Sequence, residues 1–330
     1  MPDLCLIFRK PTPYFFSIER VFTQISGNLA ENFKRSKAIL PFYSSSLTKI
    51  VRNLLFVRTL KADIYHISGD VHYATLALPQ RRTILTIHDC VFLNRPPGVK
   101  RSLLKWIFLD LPVRHCSMIT TISEASKQDI IKYTGCPPGK ITVIPNPVND
   151  IIYYSPATFN ESCPVILFLG STPNKNLERV IPALEGIDCR LNIVGEIPPA
   201  HLTLLERHRI SYSQRTKLTD KELADQYAEA DIVLFPSTFE GFGLPVSEAQ
   251  KAGRPVVTSD LSPMKDVAGG AACLVDPYDV DSIRAGVLSV IRQPEYRRQL
   301  VEKGFTNVGR FSATQIAGQY GAVYQKILSK

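Results

Sequence analysis

The chain has 330 residues, of which 45% are hydrophobic and 21% charged, a composition typical of a globular protein of about two domains. Its most apolar segment, residues 103–113, is interrupted by charges and is far shorter than the roughly 20 residues that a membrane span requires. Seven scattered cysteines without a CxxC spacing predict neither a disulfide framework nor a zinc cluster, and the start of the chain does not resemble a signal peptide, so a cytoplasmic location is expected.

Positive charge is concentrated in the first half of the chain. Residues 1–150 contain 20 Lys and Arg against 10 Asp and Glu, whereas residues 151–330 contain 19 against 20, so the net charges are +10 and −1. Such asymmetry indicates that the first half faces an anionic partner, which could be a nucleic acid, a membrane surface or a phosphorylated substrate. The charge alone does not choose among them.

Short apolar runs predict buried strands along the whole chain. They include residues 64–67, 83–87, 118–122, 141–144, 165–169, 191–194, 232–235 and 256–259. Continuous apolarity is typical of parallel strands covered on both faces, and helix signals lie between the runs, such as the capping-box spacing of Thr219 and Glu222. We therefore predict an α/β fold with two doubly wound, Rossmann-like domains facing one cleft.

Prolines and asparagines at residues 145–164 predict the linker between the domains. The first domain is expected over residues 1–155 and the second over residues 156–312. Residues 313–330 have apolar side chains at helical spacing and are expected to form a helix that packs back on the first domain. The spaced residues are Ile316, Tyr320, Val323 and Ile327.

In the first domain, the apolar strand at residues 83–87 is followed by His88 and Asp89. Both side chains are expected at the sheet edge where open α/β folds bind ligands. The alternative is a packed histidine beside an aspartate that only caps the following segment.

A glycine-rich turn follows the strand at residues 232–235. Gly241 and Gly243 permit a tight turn, and Pro245 suits the first turn of a helix because its missing N–H is no loss there. The N–H groups at such a helix start favour a phosphate. The turn is therefore a candidate phosphate site.

Two glutamates, Glu240 and Glu248, flank this helix start. Their carboxylates could accept hydrogen bonds from sugar hydroxyls, or they could only cap the helix. A dinucleotide-binding fingerprint is a rival interpretation of the same turn, but it needs a third glycine where this chain has Val246.

Residues 230–277 resemble the donor-sugar half of the retaining glycosyltransferases of family 4, which have the GT-B architecture. The likeness rests on three motifs: Glu240-x7-Glu248, Gly241-Phe242-Gly243-Leu244-Pro245 and Ala252-Gly253-Arg254-Pro255-Val256-Val257. It implies that Glu240 approaches the hydroxyls of the donor sugar and acts in catalysis, and that Glu248 holds the ribose. The loop residues Gly241, Phe242, Gly243 and Leu244 are expected to bind the sugar donor as well.

The resemblance weakens toward the N-terminus but implies further site residues. Lys175 matches a lysine that contacts the donor phosphates, and Ser171 stands where the family has arginine, threonine or serine. His88 matches a histidine that touches the donor sugar and is carried over as catalytic, with Asp89 as its supporting residue near the acceptor. His66 and His72 flank a similar turn and are candidates for lining the acceptor pocket.

An apolar run at residues 4–8 predicts the first strand of the chain, and the turn after it departs from the family. Many members have paired glycines there, whereas residues 9–17 of this chain contain prolines and aromatics and lack glycine. Arg9, Lys10 and Arg20 are hypothesised to offer positive side chains to a phosphate of the donor or the acceptor instead.

The resemblance implies the retaining transfer of a hexose from a nucleotide-diphosphate sugar to a glycan acceptor, expected to be lipid-linked, in cell-surface polysaccharide synthesis of the O-antigen or capsule type. No segment is interpreted as the Asp-x-Asp metal motif of the other large transferase architecture, so a metal-independent reaction without a cofactor is expected. A sugar-nucleotide epimerase of the same fold stays open as an alternative. A nucleic-acid-binding protein is the remaining alternative, although no nucleic-acid motif accompanies the basic charge and no such partner is expected.

Basic residues of the first domain are interspersed with apolar ones. They are Lys34, Arg35, Lys37, Arg52, Arg58, Arg81, Arg82, Arg95, Lys100, Arg101 and Lys105. Near residues 100–111 the apolar neighbours include Leu103, Leu104, Trp106 and Phe108. The pattern predicts either peripheral attachment to anionic lipid at the inner face of the plasma membrane or an amphipathic core helix with a solvated face.

Overall fold

The computed structural model describes residues 1–11, 17–93 and 98–329 and divides into two compact units. Unit 1 contains Met1–Pro147 and Ala313–Lys330, and unit 2 contains Val148–Ser312. The units meet in sequence at residues 147 and 148, inside the predicted linker and before the expected boundary at residue 155. Arg95 and residues 12–16 of the turn after the first strand lie outside the described residues.

Within the described ranges, unit 1 is built on a six-stranded parallel sheet with the order β2-β1-β3-β4-β5-β6. The strands are β1 (Asp3–Phe8), β2 (Lys34–Ile39), β3 (Ile64–Ile67), β4 (Thr83–Ile87), β5 (Met118–Thr121) and β6 (Ile141–Val143). The helices are α1 (Ser17–Asn28), α2 (Leu47–Arg58), α3 (Val99–Lys105), α4 (Leu111–His115) and α5 (Glu124–Thr134), and the unit also contains α13 (Ala313–Leu328). The strand order reverses between β1 and β3, which makes their carboxyl ends the switch point of this sheet.

Unit 2 has a second six-stranded parallel sheet, counted over the same described residues, with the order β12-β11-β10-β7-β8-β9. The strands are β7 (Val165–Leu169), β8 (Arg190–Val194), β9 (Tyr212–Arg215), β10 (Ile232–Phe235), β11 (Val256–Ser259) and β12 (Cys273–Val275). The helices are α6 (Leu177–Ala183), α7 (Pro199–Arg207), α8 (Asp220–Glu229), α9 (Leu244–Ala252), α10 (Met264–Ala268), α11 (Val280–Arg292) and α12 (Pro294–Val308). This is the order of a Rossmann sheet, and its switch point lies between β7 and β10.

Both faces of each sheet are covered, which explains the continuous apolar runs. In β1, Cys5 and Ile7 belong to the core under α2, whereas Leu4 and Phe8 belong to the core under α13. Successive strand residues point to opposite faces, so a strand buried on both sides needs an apolar residue at each position.

Helix α13 returns from unit 2 to pack on the sheet of unit 1. Its residues Tyr320 and Tyr324 are buried, and the Tyr320 ring meets the Phe22 ring of α1 edge-on with a centroid distance of 5.6 Å. The Tyr324 hydroxyl lies 2.8 Å from His66 Nδ1 on β3. This helix therefore completes the core of unit 1.

The segment between α3 and α4 is a π-helical turn, Trp106–Asp110, instead of a continuous α-helix. Pro112 has no N–H to donate to the carbonyl of Phe108, and its ring would clash with that carbonyl in an α-helix. In the widened turn, the Phe108 carbonyl bonds instead to His72, whose Nδ1 lies 2.7 Å from it.

Among the described residues, no helix combines the length and the apolarity that crossing a bilayer would require.

Candidate active site

The carboxyl ends of β7 and β10 lie side by side at the switch point of unit 2. The turn after β7 contains Ser171 and Lys175, and the turn after β10 contains Glu240 and residues 241–243. Open α/β sheets bind ligands at such points. The fold therefore brings the residues predicted to bind the sugar donor in this unit to one edge of one sheet.

Lys175 is held in a fixed direction by packing. Gly170 has a φ of +87°, and a Cβ atom at this position would lie only 3.0 Å from Lys175 Cε. The missing side chain makes room for the lysine stem. Lys175 Nζ lies 4.6 Å from the centroid of the Phe235 ring, within cation–π range.

Ser171, the other predicted residue of this turn, lies beside the turn that follows β8. A Cβ atom on Gly195 would lie 3.3 Å from Ser171 Oγ. Ser171 is half-buried and lies in the turn after β7, at the same sheet edge as Lys175. Its role in binding the sugar donor stays a prediction.

Two asparagines join the turns after β7 and β10. Asn174 donates from Nδ2 to the carbonyl of Phe239 at 2.9 Å, and its own carbonyl accepts from Thr238 N at 2.8 Å. Asn176, buried with a φ of +71°, donates from Nδ2 to the carbonyl of Pro236 at 3.0 Å. Neither asparagine is predicted from the sequence; the available signal was the turn-forming composition of residues 173–176 after a strand.

Glu240 and Lys175 form an ion pair at the centre of this edge. Glu240 Oε1 accepts from Lys175 Nζ at 2.6 Å and from Asn174 Nδ2 at 3.2 Å. The side chains of Glu240 and Lys175 are only 16% and 19% exposed, so solvent screens the pair weakly. The group predicted to hold sugar hydroxyls and the group predicted to hold phosphate therefore contact each other directly.

Helix α9 begins directly after the glycine loop. Gly243 adopts a left-handed conformation with a φ of +101°, which a residue with a side chain rarely adopts. The Phe242 side chain is buried and meets the Phe311 ring edge-on at 5.5 Å. It anchors the loop in the core, so Phe242 offers a ligand only its backbone. Leu244 is the first residue of α9, and Gly241 is half-buried beside it.

Glu248 is the fifth residue of α9 and is only 7% exposed. Its Oε2 accepts a hydrogen bond of 2.6 Å from the hydroxyl of Tyr227, a fully buried residue of α8. Burial, and then the negative charge of Glu248, raise the pKa of Tyr227 well above its ordinary value. Tyr227 therefore stays a hydrogen-bond donor at neutral pH, and its contact with Glu248 is not predicted from the sequence.

Unit 1 contains a pocket of about 730 Å³ at the carboxyl ends of β1, β3 and β4. His72, His88 and Asp89 line it together with Lys10 and Lys100. The apolar part of its wall includes Ile18, Phe42, Phe92, Leu104 and Phe108. Cationic and apolar groups together suit a ligand that carries both anionic and apolar parts.

His88 and Asp89 each form a hydrogen bond with the backbone of unit 1. His88 Nε2 lies 2.9 Å from the carbonyl oxygen of Ser68, which can only accept, so this nitrogen carries the proton. Asp89 Oδ1 accepts from the backbone N–H of Val91 at 3.0 Å and caps the following turn, which agrees with the alternative of a capping aspartate. Capping occupies one carboxylate oxygen and leaves Asp89 on the pocket wall.

The two other histidines have different surroundings. His72 lines the pocket, where burial lowers its pKa in spite of the hydrogen bond to Phe108. His66 lies in the core, bonded to Tyr324 and, through Nε2 at 2.7 Å, to Thr86. Burial, and secondarily the nearby His88, lower the pKa of His66 to about 3. The expectation that His66 lines the acceptor pocket is wrong, because α13 covers it.

The basic residues after β1 are only partly available. The Arg9 guanidinium is paired with Glu19 at 2.9 Å and with Asp70. Burial lowers the pKa of Arg9, but the two carboxylates outweigh it and the net shift is upward. Lys10 lies 5.1 Å from the Tyr43 ring centroid on the pocket wall. Arg9 is therefore neutralised, whereas Lys10 offers its charge to the pocket.

No group of three or more His, Cys, Asp or Glu side chains in the described part of the chain is placed to hold a metal ion. An Asp-x-Asp spacing does occur at Asp279 and Asp281, but Asp279 Oδ1 accepts from Asp281 N at 2.9 Å and caps α11. Local capping accounts for this spacing.

Solved structures share this fold over nearly the whole chain. Sucrose-phosphate synthase from Thermosynechococcus elongatus aligns with a TM-score of 0.80 at 15% identity, covering 100% of both chains. HepE from Anabaena, solved in complex with UDP and glucose, aligns with a TM-score of 0.79 at 15% identity over 99% of this chain and 100% of its own. The two Rossmann-like units and these likenesses show that the chain has the GT-B fold, as the sequence predicts.

Sequence comparisons identify the family. A model described as Glycosyltransferase Family 4 matches residues 14–150, and one described as Glycosyl transferases group 1 matches residues 163–293. The chain belongs to glycosyltransferase family 4, which confirms the resemblance drawn from its motifs. It is 28% identical to O-antigen chain mannosyltransferase B of Escherichia coli, over 87% of this chain and 80% of the relative. It is 29% identical to the MMP alpha-(1->4)-mannosyltransferase of Mycolicibacterium hassiacum, over 80% and 69%.

Proposed function

We propose that the protein transfers a hexose, with mannose as the first candidate, from a nucleotide-diphosphate sugar to a glycan acceptor in the synthesis of a cell-surface polysaccharide. The observation that carries the proposal is the Lys175–Glu240 pair beside the start of α9, at the switch point of unit 2. A cation and helix N–H groups suit a diphosphate, and a carboxylate beside them suits sugar hydroxyls. The mannosyltransferase names of the two relatives support the choice of sugar.

In the proposed reaction, the bond between the sugar and the nucleotide diphosphate breaks, and negative charge develops on the leaving phosphate. Lys175 and the N-terminus of α9 stabilise this charge. Glu240 holds hydroxyls of the sugar, Glu248 holds the ribose, and His88 contacts the sugar. The leaving phosphate oxygen takes the proton of the attacking acceptor hydroxyl on the same face, so the anomeric configuration is retained without a metal or a protein nucleophile.

Nucleotide binding is the direct test of this proposal. A panel of UDP, GDP, ADP and TDP is expected to contain one nucleotide that raises the unfolding temperature, because a ligand that binds only the folded state stabilises it. At 100 times the dissociation constant the gain is about 2.7 kcal/mol. The shift should disappear with the corresponding nucleoside, which lacks the diphosphate. A flat response to all four nucleotides would remove the basis of the proposed site.

The epimerase alternative is separated by incubating the enzyme with the nucleotide sugar alone. Release of an epimerised sugar without any acceptor would favour it over transfer. The products of GDP-mannose and UDP-glucose with and without a glycan acceptor are read by mass spectrometry and proton NMR, which also report whether the configuration at the anomeric carbon is retained.

A lipid-linked acceptor is proposed from the surface of unit 1. Two helices there expose apolar stripes: Leu47, Val51 and Leu55 of α2 are 69%, 52% and 58% exposed, and on α3 Val99 and Leu103 are 89% and 51% exposed. Their charged residues are all basic: Lys49, Arg52 and Arg58 on α2, and Lys100, Arg101 and Lys105 on α3. Apolar stripes flanked by basic residues suit the surface of an anionic bilayer. The pocket wall includes Leu104 of the same α3, so its mouth adjoins one stripe.

Peripheral attachment predicts sedimentation with vesicles that contain phosphatidylglycerol at low salt, and little sedimentation with pure phosphatidylcholine. Replacing Leu103 and Trp106, both half exposed, by serine is expected to weaken vesicle binding at least tenfold, because about 1.5–3 kcal/mol of apolar burial is lost per large side chain. Tyr212→Ser, at an exposed aromatic residue of unit 2, is the control and should bind as the wild type does. Equal sedimentation of the wild type, the Leu103 and Trp106 double variant and Tyr212→Ser would contradict attachment through α3 and the turn that follows it.

A further inference from the structure

Helices α8 and α9 are joined by a hydrogen bond between two buried side chains. The Tyr227 hydroxyl donates to Glu248 Oε2 at 2.6 Å, a short distance typical of a hydroxyl that donates to an ionised carboxylate. Tyr227 is 0% exposed and Glu248 is 7% exposed. A carboxylate so deep in the protein needs hydrogen-bond donors to stay charged.

The backbone around Tyr227 is fixed by a buried arginine. Arg254 donates from Nε to the carbonyl of Tyr227 at 3.1 Å and from Nη2 to the carbonyl of Ala228 at 2.6 Å. The same Nη2 donates to the carbonyl of Ser155 at 2.7 Å. Arg254 thereby satisfies carbonyls near the C-terminus of α8 and holds that end of the helix, which carries Tyr227, close to the end of α9.

A fixed donor on one oxygen restricts the side-chain rotation of the carboxylate it binds. A diol such as that of ribose presents two adjacent hydroxyls, and an acceptor that is already oriented loses less entropy when it binds them. Nothing in the proposed chemistry uses Tyr227 directly, since it is covered by protein on all sides.

We propose that Tyr227 is a positioning residue that orients the Glu248 carboxylate for the ribose of the nucleotide sugar. The inference rests on the proposed function, because it gives Tyr227 a role only if Glu248 binds the sugar donor. It predicts an effect on the affinity for the nucleotide and not on the chemical step.

The test is Tyr227→Phe, which removes one hydroxyl and keeps the ring. We expect KM for the nucleotide sugar, and Kd for the matching nucleoside diphosphate, to rise about tenfold, as expected when a hydrogen bond to a charged group is lost. We expect kcat and KM for the acceptor to stay near the wild-type values. A purely structural role would lower the unfolding temperature without this selective change in the affinity for the nucleotide.

Tyr153→Phe is a matched control. Its hydroxyl donates to Asp225 Oδ1 at 2.8 Å, so the substitution also removes a tyrosine–carboxylate hydrogen bond to a residue of α8, but at the surface. This variant should bind the nucleotide as the wild type does.

A double-mutant cycle completes the test. In a Glu248→Ala background, Tyr227→Phe should cause no further loss of nucleotide affinity. Wild-type affinity in Tyr227→Phe, or an equal loss with and without Glu248, would overturn the inference while leaving the proposed function intact. A wild-type protein that binds no nucleotide would overturn the proposed function and the inference together.

Discussion

Glu240→Gln is expected to lower kcat by about a thousandfold while the nucleoside diphosphate binds at least as tightly as it does to the wild type. The neutral amide loses the charge that is proposed to hold the sugar hydroxyls during transfer. It also releases Lys175, whose Nζ lies 2.6 Å from Glu240 Oε1, to interact with phosphate. The measurements are steady-state transfer rates and calorimetric titration with the nucleotide that the panel identifies.

Glu178→Gln is the control for this substitution. Glu178 accepts from Arg179 Nη1 at 2.6 Å and is 57% exposed, so it belongs to another glutamate–cation pair of unit 2. Exposed pairs contribute about 0–1 kcal/mol, and this variant should keep the activity and affinity of the wild type. Full transfer activity in purified Glu240→Gln protein would refute the assigned site.

Lys175→Met is expected to weaken binding of the nucleoside diphosphate by 10- to 100-fold, because a charge-assisted hydrogen bond to phosphate contributes about 1.5–3 kcal/mol. Methionine keeps an unbranched stem that can pack beside Gly170 and Phe235, where the lysine stem passes. Turnover should fall further than affinity, since the charge on the leaving phosphate also goes unstabilised. The measurement is calorimetric titration combined with transfer rates at saturating nucleotide sugar.

Lys303→Met is the control for Lys175→Met. It removes the same charge at an exposed position of α12, elsewhere in unit 2, and should leave binding unchanged.

Comparing Lys175→Met with Glu240→Gln is informative because each substitution breaks the Lys175–Glu240 ion pair. We expect opposite effects on the affinity for the diphosphate. Equal losses in both variants would mean that the ion pair itself, and not the lysine charge, determines binding.

The sequence predicts most of the fold because buried parallel strands need apolar residues on both faces. The predicted runs at residues 64–67, 83–87 and 165–169 coincide with β3, β4 and β7. The strands β2 and β9 are missed, since they lie at sheet edges and their residues are mainly exposed and polar. An edge strand lacks the apolar pattern that identifies a central one.

The candidate site is predicted as far as it follows local motifs. The spacing of Glu240 and Glu248 and the lysine at position 175 are visible in the sequence. The partners of these residues depend on tertiary contacts: Tyr227 reaches Glu248 only because α8 packs beside α9, and Asn176 contacts Pro236 across 60 residues of sequence. The core position of His66 likewise depends on α13, which is remote from it in the chain.

The return of α13 to unit 1 has a consequence for the order in which the chain folds during synthesis. Residues 148–312 emerge from the ribosome before α13, the helix that covers Phe22 and His66. Unit 2 can therefore complete its core while the core of unit 1 is still exposed on one side. Nascent domains with exposed apolar surface are prone to misassembly and are bound by chaperones. The part of the protein that is made first is therefore the last to be finished.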